Sequence, residues 1–205
     1  VIELFVSAFV TFFVVIDPPG CAPIFAGLTA GATAANRRAM AIRAIMVAAA
    51  ILLVFALVGE DLLRGLGIEL ASFRIAGGIM LFLIALEMVF EKRTQRREDR
   101  AAKVTAEEAD DVSIFPMAMP MIAGPGSIAT VMLLMSHTDG VPRTAIVLAA
   151  LGANLLLTLL ALLAAGPLMR LMGAKIEAVI TRLLGVLLAA LAVQFVIDGV
   201  QSQLG

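Results

Sequence analysis

Ile16-Asp17-Pro18-Pro19-Gly20-Cys21-Ala22-Pro23 and Ile122-Ala123-Gly124-Pro125-Gly126-Ser127-Ile128 each lie inside a long apolar run, and their reading decides the fold. Proline has no N–H and clashes with the carbonyl four residues back, so a helix passing through either stretch must break. The carbonyls of Val14, Val15 and Met121 then lose their helical donors. In hydrocarbon such a break survives only where it is buried in protein or lines a wet cavity. Counted from Leu4 and Val112, Asp17 and Gly124 lie roughly 20 and 18 Å into their runs at about 1.5 Å per residue, near the middle of a bilayer.

That these runs are membrane spans follows from composition. Of 205 residues 61% are hydrophobic and the mean hydropathy is +1.05, beyond what a soluble fold can bury. Six runs are long enough to cross about 30 Å of hydrocarbon: Leu4 to about Leu28, Met40 to Val58, Phe73 to Phe90, Val112 to Met135, Val141 to Ala165 and Ile176 to Val200. The first has neither the basic start nor the cleavage pattern of a signal peptide and reads as a span. The expected fold is therefore all-α, in one membrane domain of six transmembrane helices. A single cysteine, Cys21, excludes an internal disulfide or a Cys-x-x-Cys redox pair, and with one histidine, His137, the usual zinc or iron ligand sets are not expected. With no P-loop either, no cofactor and no enzymatic activity are expected.

Lys and Arg set the orientation. With six crossings and both termini outside, twelve basic residues face inward: Arg37, Arg38, Arg43, Lys92, Arg93, Arg96, Arg97, Arg100, Lys103, Arg170, Lys175 and Arg182. Only Arg64, Arg74 and Arg143 face outward. Making the first and fourth segments re-entrant hairpins gives a weaker ten-to-five split, so six crossings are preferred.

Residues 1–90 and 112–201 can be laid over one another. Ile16 to Gly20 matches Ile122 to Gly126, Gly59 matches Gly166, Arg64 to Gly67 matches Arg170 to Gly173, and Arg74 with Gly77 matches Arg182 with Gly185. Three crossings per half place the second copy upside down, the inverted repeat of many secondary transporters. The linker 91–111 carries six basic and seven acidic residues, including Glu107, Glu108, Asp110 and Asp111. It reads as solvated helix or disorder without attraction for nucleic acid.

Each break starts a new helix whose free amides and positive dipole end attract anions, with Ser127 as the expected cap of the second. Asp17, the one acid deep in a span, is a functional candidate. It equally fits a helix N-cap with Pro18 at the first helical position. An anion-seeking end beside a cation-seeking one suits a small zwitterion. The candidate substrate residues are Asp17, Pro18, Pro19, Gly20, Gly124, Pro125, Gly126 and Ser127, with Asn154 and Thr158, which share one face of the fifth segment. Helix-to-helix hydrogen bonding explains those last two equally well. Glu87 reads as reaching the inner interface, with a gating or proton role as the alternative.

Asp17-Pro18-Pro19-Gly20-Cys21-Ala22-Pro23-Ile24-Phe25, Phe73-Arg74-Ile75-Ala76-Gly77-Gly78 and Pro116-Met117-Ala118-Met119-Pro120-Met121-Ile122-Ala123-Gly124-Pro125-Gly126-Ser127-Ile128 resemble the MarC family of small bacterial inner-membrane proteins, also called the neutral amino acid transporter family. The resemblance spans nearly the whole chain. It implies a multi-pass plasma-membrane protein, some of whose members move glycine or alanine, and similarity to the lysine-exporter-like superfamily. The expected function is secondary transport of small neutral amino acids, with the substrate carboxylate on the helix starts and its ammonium near Asp17. A membrane electron relay and a non-transporting subunit that recruits a partner are the alternatives.

Overall fold

Proline and glycine punctuate the helices. The computed structural model describes residues 1–102, 111–136, 138 and 140–204, apart from the side chains of Arg100, of residues 169–175 and of Glu177. The expectations for Lys103, Glu107, Glu108, Asp110 and His137, and for the side chains of Arg170 and Lys175, thus fall outside the described residues. The described residues are helical, without a strand: α1 (Ile2–Ile16), α2 (Pro18–Leu28), α3 (Ala34–Gly65), α4 (Leu70–Val89), α5 (Lys92–Ala102), a wide-turn segment (Ser113–Ile122), α6 (Pro125–Met135), α7 (Val141–Leu163) and α8 (Ala165–Leu204).

At the first break only Asp17 leaves the helical conformation, taking left-handed φ 58° and ψ 66°, and α1 and α2 together form one apolar stretch of 27 residues. The second break is sharper. Phe115 and Met119 are extended because each precedes a proline whose ring excludes the helical region. The wide-turn segment is bent by 51° against α6. Among the described residues five helices are therefore long and apolar enough to span a bilayer, or six if the bent pair counts as one span. The helices also outrun the apolar runs. α3 has 32 residues rather than Met40 to Val58, since Asn36 to Arg38 and Glu60 to Arg64 contain no breaker and Thr33 caps the start by accepting from the Asn36 N–H at 3.3 Å.

Burial ranks the spans. In the α1–α2 stretch 56% of the most apolar window is inside the protein, whereas the windows of α3, α4 and α8 are 28% buried. The first stretch is thus the centre, and the outer faces of the others carry apolar surface that lipid must cover. α3 turns Ala41, Ala44, Ala48, Leu52, Ala56 and Gly59 inward at helical spacing, toward the wide-turn segment, α6 and α7. α4 and α8 make the most extensive contact among the described residues. Their backbones meet at glycines: a Cβ at Gly78 would lie 2.8 Å from the Ala192 carbonyl oxygen. That is the close approach small residues allow where no hydrophobic force drives helices together.

Candidate functional site

The first break is closed by charge. Asp17 caps α2, its Oδ1 accepting from the Gly20 N–H at 3.2 Å, and its Oδ2 accepts from Arg97 Nη1 at 2.9 Å. Asp17 and Arg97 are both buried. Arg97 Nη2 donates to the Ile16 carbonyl at 3.3 Å, and Arg93 Nη2 to the Val15 carbonyl at 2.5 Å. The Val15 carbonyl, deprived of its helical donor by Pro19, and the Ile16 carbonyl, whose helical donor Gly20 turns to Asp17 instead, thus receive guanidinium groups from α5, some eighty positions away. Gly20 is required here, since a Cβ would lie 2.2 Å from Asp17 Oδ2.

The charged linker therefore differs from its expectation. α5 is helical, but Arg93 and Arg97, one turn apart, point into the protein. Desolvation of the ions is offset by their pairing and hydrogen bonds. Burial first, and the neighbouring Arg97 second, lower the Arg93 pKa to about 10, so it remains charged at neutral pH. The linker sequence held a signal for this: Arg93, Arg96 and Arg97 fall on one helical face directly after a span, and a deep Asp17 demands a cation.

The second break is open. The N-cap of α6 is Gly124, which offers no side-chain cap, and Pro125 occupies the first turn. The amides of Gly126 and Ser127 are of the kind a helix start leaves without an intrahelical acceptor. Ser127 does not cap this helix, contrary to expectation, because it sits three residues past the cap position. It is 3% exposed and lines a cavity, and its hydroxyl has no hydrogen-bond partner among the described residues. A Cβ at Gly124 would lie 2.3 Å from the Pro120 carbonyl oxygen, so the turn into α6 admits only glycine.

The cavity, of about 350 Å³, lies between α4, α5, the wide-turn segment and α6. Its walls are Val15, Met80, Leu83, Ile84, Pro120 and Met121; its polar groups are Glu87, Arg93, Arg96, Arg97 and the α6 start from Gly124 to Ser127. Glu87 is ion-paired with Arg96. Gly126 faces Ile84 and Leu81, at the middle of α4, so the cavity reaches well into the depth of that span.

The predicted site residues therefore do not form one cluster. Gly124, Pro125, Gly126 and Ser127 line the cavity. Asp17, Pro18, Pro19 and Gly20 lie behind it, and Asp17 is joined to the cavity wall through Arg97. Asn154 and Thr158 are buried elsewhere: Asn154 Nδ2 donates to the Phe9 carbonyl at 2.8 Å, and Thr158 Oγ1 to the Asn154 carbonyl at 2.8 Å. The Asn154 bond is helix-to-helix, of α7 to α1, whereas the Thr158 bond stays within α7. Glu87, Arg93, Arg96 and Arg97 are the charged cavity residues absent from the expected substrate set. No cluster of potential metal ligands occurs among the described residues.

Comparison with known proteins places the chain in a family. Residues 2–204 match the MarC family integral membrane protein. A UPF0056 membrane protein of Methanocaldococcus jannaschii is 36% identical over 206 residues, covering 99% of this chain and 98% of that protein. The UPF0056 membrane protein YvbG of Bacillus subtilis is 38% identical over 157 residues, 76% of this chain and 74% of its own. The UPF0056 inner membrane protein YhgN of Escherichia coli is 36% identical over 132 residues, 64% of each. No solved structure matches.

Proposed function

The chain belongs to the MarC family of integral membrane proteins, and from that premise and the chemistry of the cavity we propose that it is a secondary transporter of small neutral amino acids in the plasma (inner) membrane. The observation that carries the reading is the uncapped start of α6, with a Ser127 hydroxyl that has no hydrogen-bond partner among the described residues, opening into a cavity lined by arginines. A substrate carboxylate fits there, received by the amides of Gly126 and Ser127, by the Ser127 hydroxyl and by the dipole of α6. The apolar walls suit a short side chain. The family resemblance points to the same substrates.

In this reading residues 1–90 and 112–201 are inverted repeats that rock against each other around the breaks, with both termini outside and α5 on the inner side. Asp17 belongs to the machinery as a structural joint. Its carboxylate is committed to Arg97 and the Gly20 amide, so the substrate ammonium needs another partner.

The test is exchange of radiolabelled glycine, alanine and serine in proteoliposomes of the purified chain. Saturable exchange that is lost in Gly126→Leu is the expected result. No exchange of any of the three by folded protein would remove the reading.

A further inference from the structure

We propose that Glu87 is the specificity-determining residue of this cavity, holding the substrate ammonium, and that a zwitterion binds by taking the place of the Glu87–Arg96 ion pair. The inference rests on the transport reading above and gives the ammonium its partner.

Glu87 is the one acid among the described residues that line the cavity. It projects from α4 a turn beyond Ile84, the residue that faces Gly126. Without an anion in its wall, a cavity bearing three guanidinium groups and a helix start would prefer simple carboxylates to amino acids. Two of the three arginines are committed: Arg93 to the Val15 carbonyl, Arg97 to Asp17 and the Ile16 carbonyl. Arg96 is different, since it is bonded to Glu87 and its side chain is 52% exposed against 19% for Glu87. With one partner half exposed, this pair is held less firmly than the buried Arg97–Asp17 pair. An incoming amino acid offers both halves of a replacement: its ammonium for Arg96 at the Glu87 carboxylate, its carboxylate for Glu87 at the Arg96 guanidinium and the Ser127 hydroxyl. No charge is left unpaired, which is the condition a partly buried site imposes. A net-neutral amino acid meets it; an amine or a carboxylate alone does not.

The experiment compares alanine with propionate, the same molecule without its amine, by equilibrium binding to the purified full chain in detergent. Wild type should bind alanine at least tenfold more tightly than propionate. In Glu87→Gln the alanine affinity should fall about tenfold or more while propionate binds as well as before or better. Glu87→Asp should keep part of the preference. Because Glu87→Gln leaves Arg96 without its partner, Glu87→Gln/Arg96→Gln provides a variant with no unpaired charge, in which the alanine preference must also be lost. A preference for alanine that survives in both variants overturns the assignment of Glu87 and leaves the transport reading standing. Wild type that binds neither ligand overturns both.

Discussion

The two proline–glycine breaks are built from similar residues and end in opposite states. At the first, Asp17 caps α2, Arg97 neutralises Asp17, and Arg93 and Arg97 supply donors to the carbonyls at the end of α1. At the second, the cap is Gly124, the Ser127 hydroxyl has no partner among the described residues, and the helix start faces a cavity of about 350 Å³. A break in a membrane helix thus needs polar compensation, and the compensation decides its use. Where the chain's own side chains supply it, the break is a joint; where they do not, the unmet bonding capacity is offered to a ligand.

The largest expected effect separates these roles. Asp17→Asn keeps a capping side chain but breaks the buried Asp17–Arg97 ion pair, so it should destabilise the protein by about 3–5 kcal/mol, measured as thermal unfolding in detergent. An unfolding midpoint equal to wild type would show that the first break is not held by charge. Asn154→Ala removes the bond from α7 to α1, away from both breaks. A loss of about 1–2 kcal/mol in stability, with substrate affinity intact, would keep Asn154 out of the site; an affinity loss would bring it back.

Ser127→Ala is the counterpart at the second break. Since the hydroxyl makes no protein bond among the described residues, stability should change by less than about 0.5 kcal/mol while substrate affinity falls several-fold, about 1 kcal/mol. A stability loss like that of Asp17→Asn would make the two breaks alike. The smallest effect concerns the Arg43–Asp111 pair, which leads into the wide-turn segment and is roughly half exposed. Burial raises the Asp111 pKa, but the hydrogen bond it accepts from the Ser113 N–H and the proximity of Arg43 outweigh that and leave it lowered. A lowered folded-state pKa adds stability above the ordinary carboxylate pKa, about 4, that is lost as pH falls through the folded value. Asp111→Asn should therefore cost at most about 1 kcal/mol at neutral pH and flatten the acid side of the stability profile.

The apolar runs and the prolines were legible because both act locally: hydropathy needs only a window, and proline acts on its own turn. The cap at Asp17 followed from Asp-Pro-Pro in the same way. What the linker does was not legible by that route, because a run of charges beyond a span ordinarily stays in water, and only the three-dimensional return of α5 lets Arg97 meet a residue eighty positions earlier. Ser127 was expected as a cap, yet extended geometry at Phe115 and Met119 and the tight turn at Gly124 start α6 earlier and leave Ser127 facing the cavity. Asn154 and Thr158 share a helix face in any reading; which neighbour that face meets is a tertiary fact.

The contrast between the breaks can be measured with thiols, because Cys21, the only cysteine, is buried beside the first break, and Ser127→Cys in a Cys21→Ala background reports on the second. With a water-soluble maleimide applied to the native protein in detergent, Cys21 of wild type should stay unmodified, whereas the thiol introduced by Ser127→Cys should react and alanine should slow it. Modification of Cys21 that alanine prevents, with an inert thiol at the Ser127 position, would place the substrate at the first break and contradict the account.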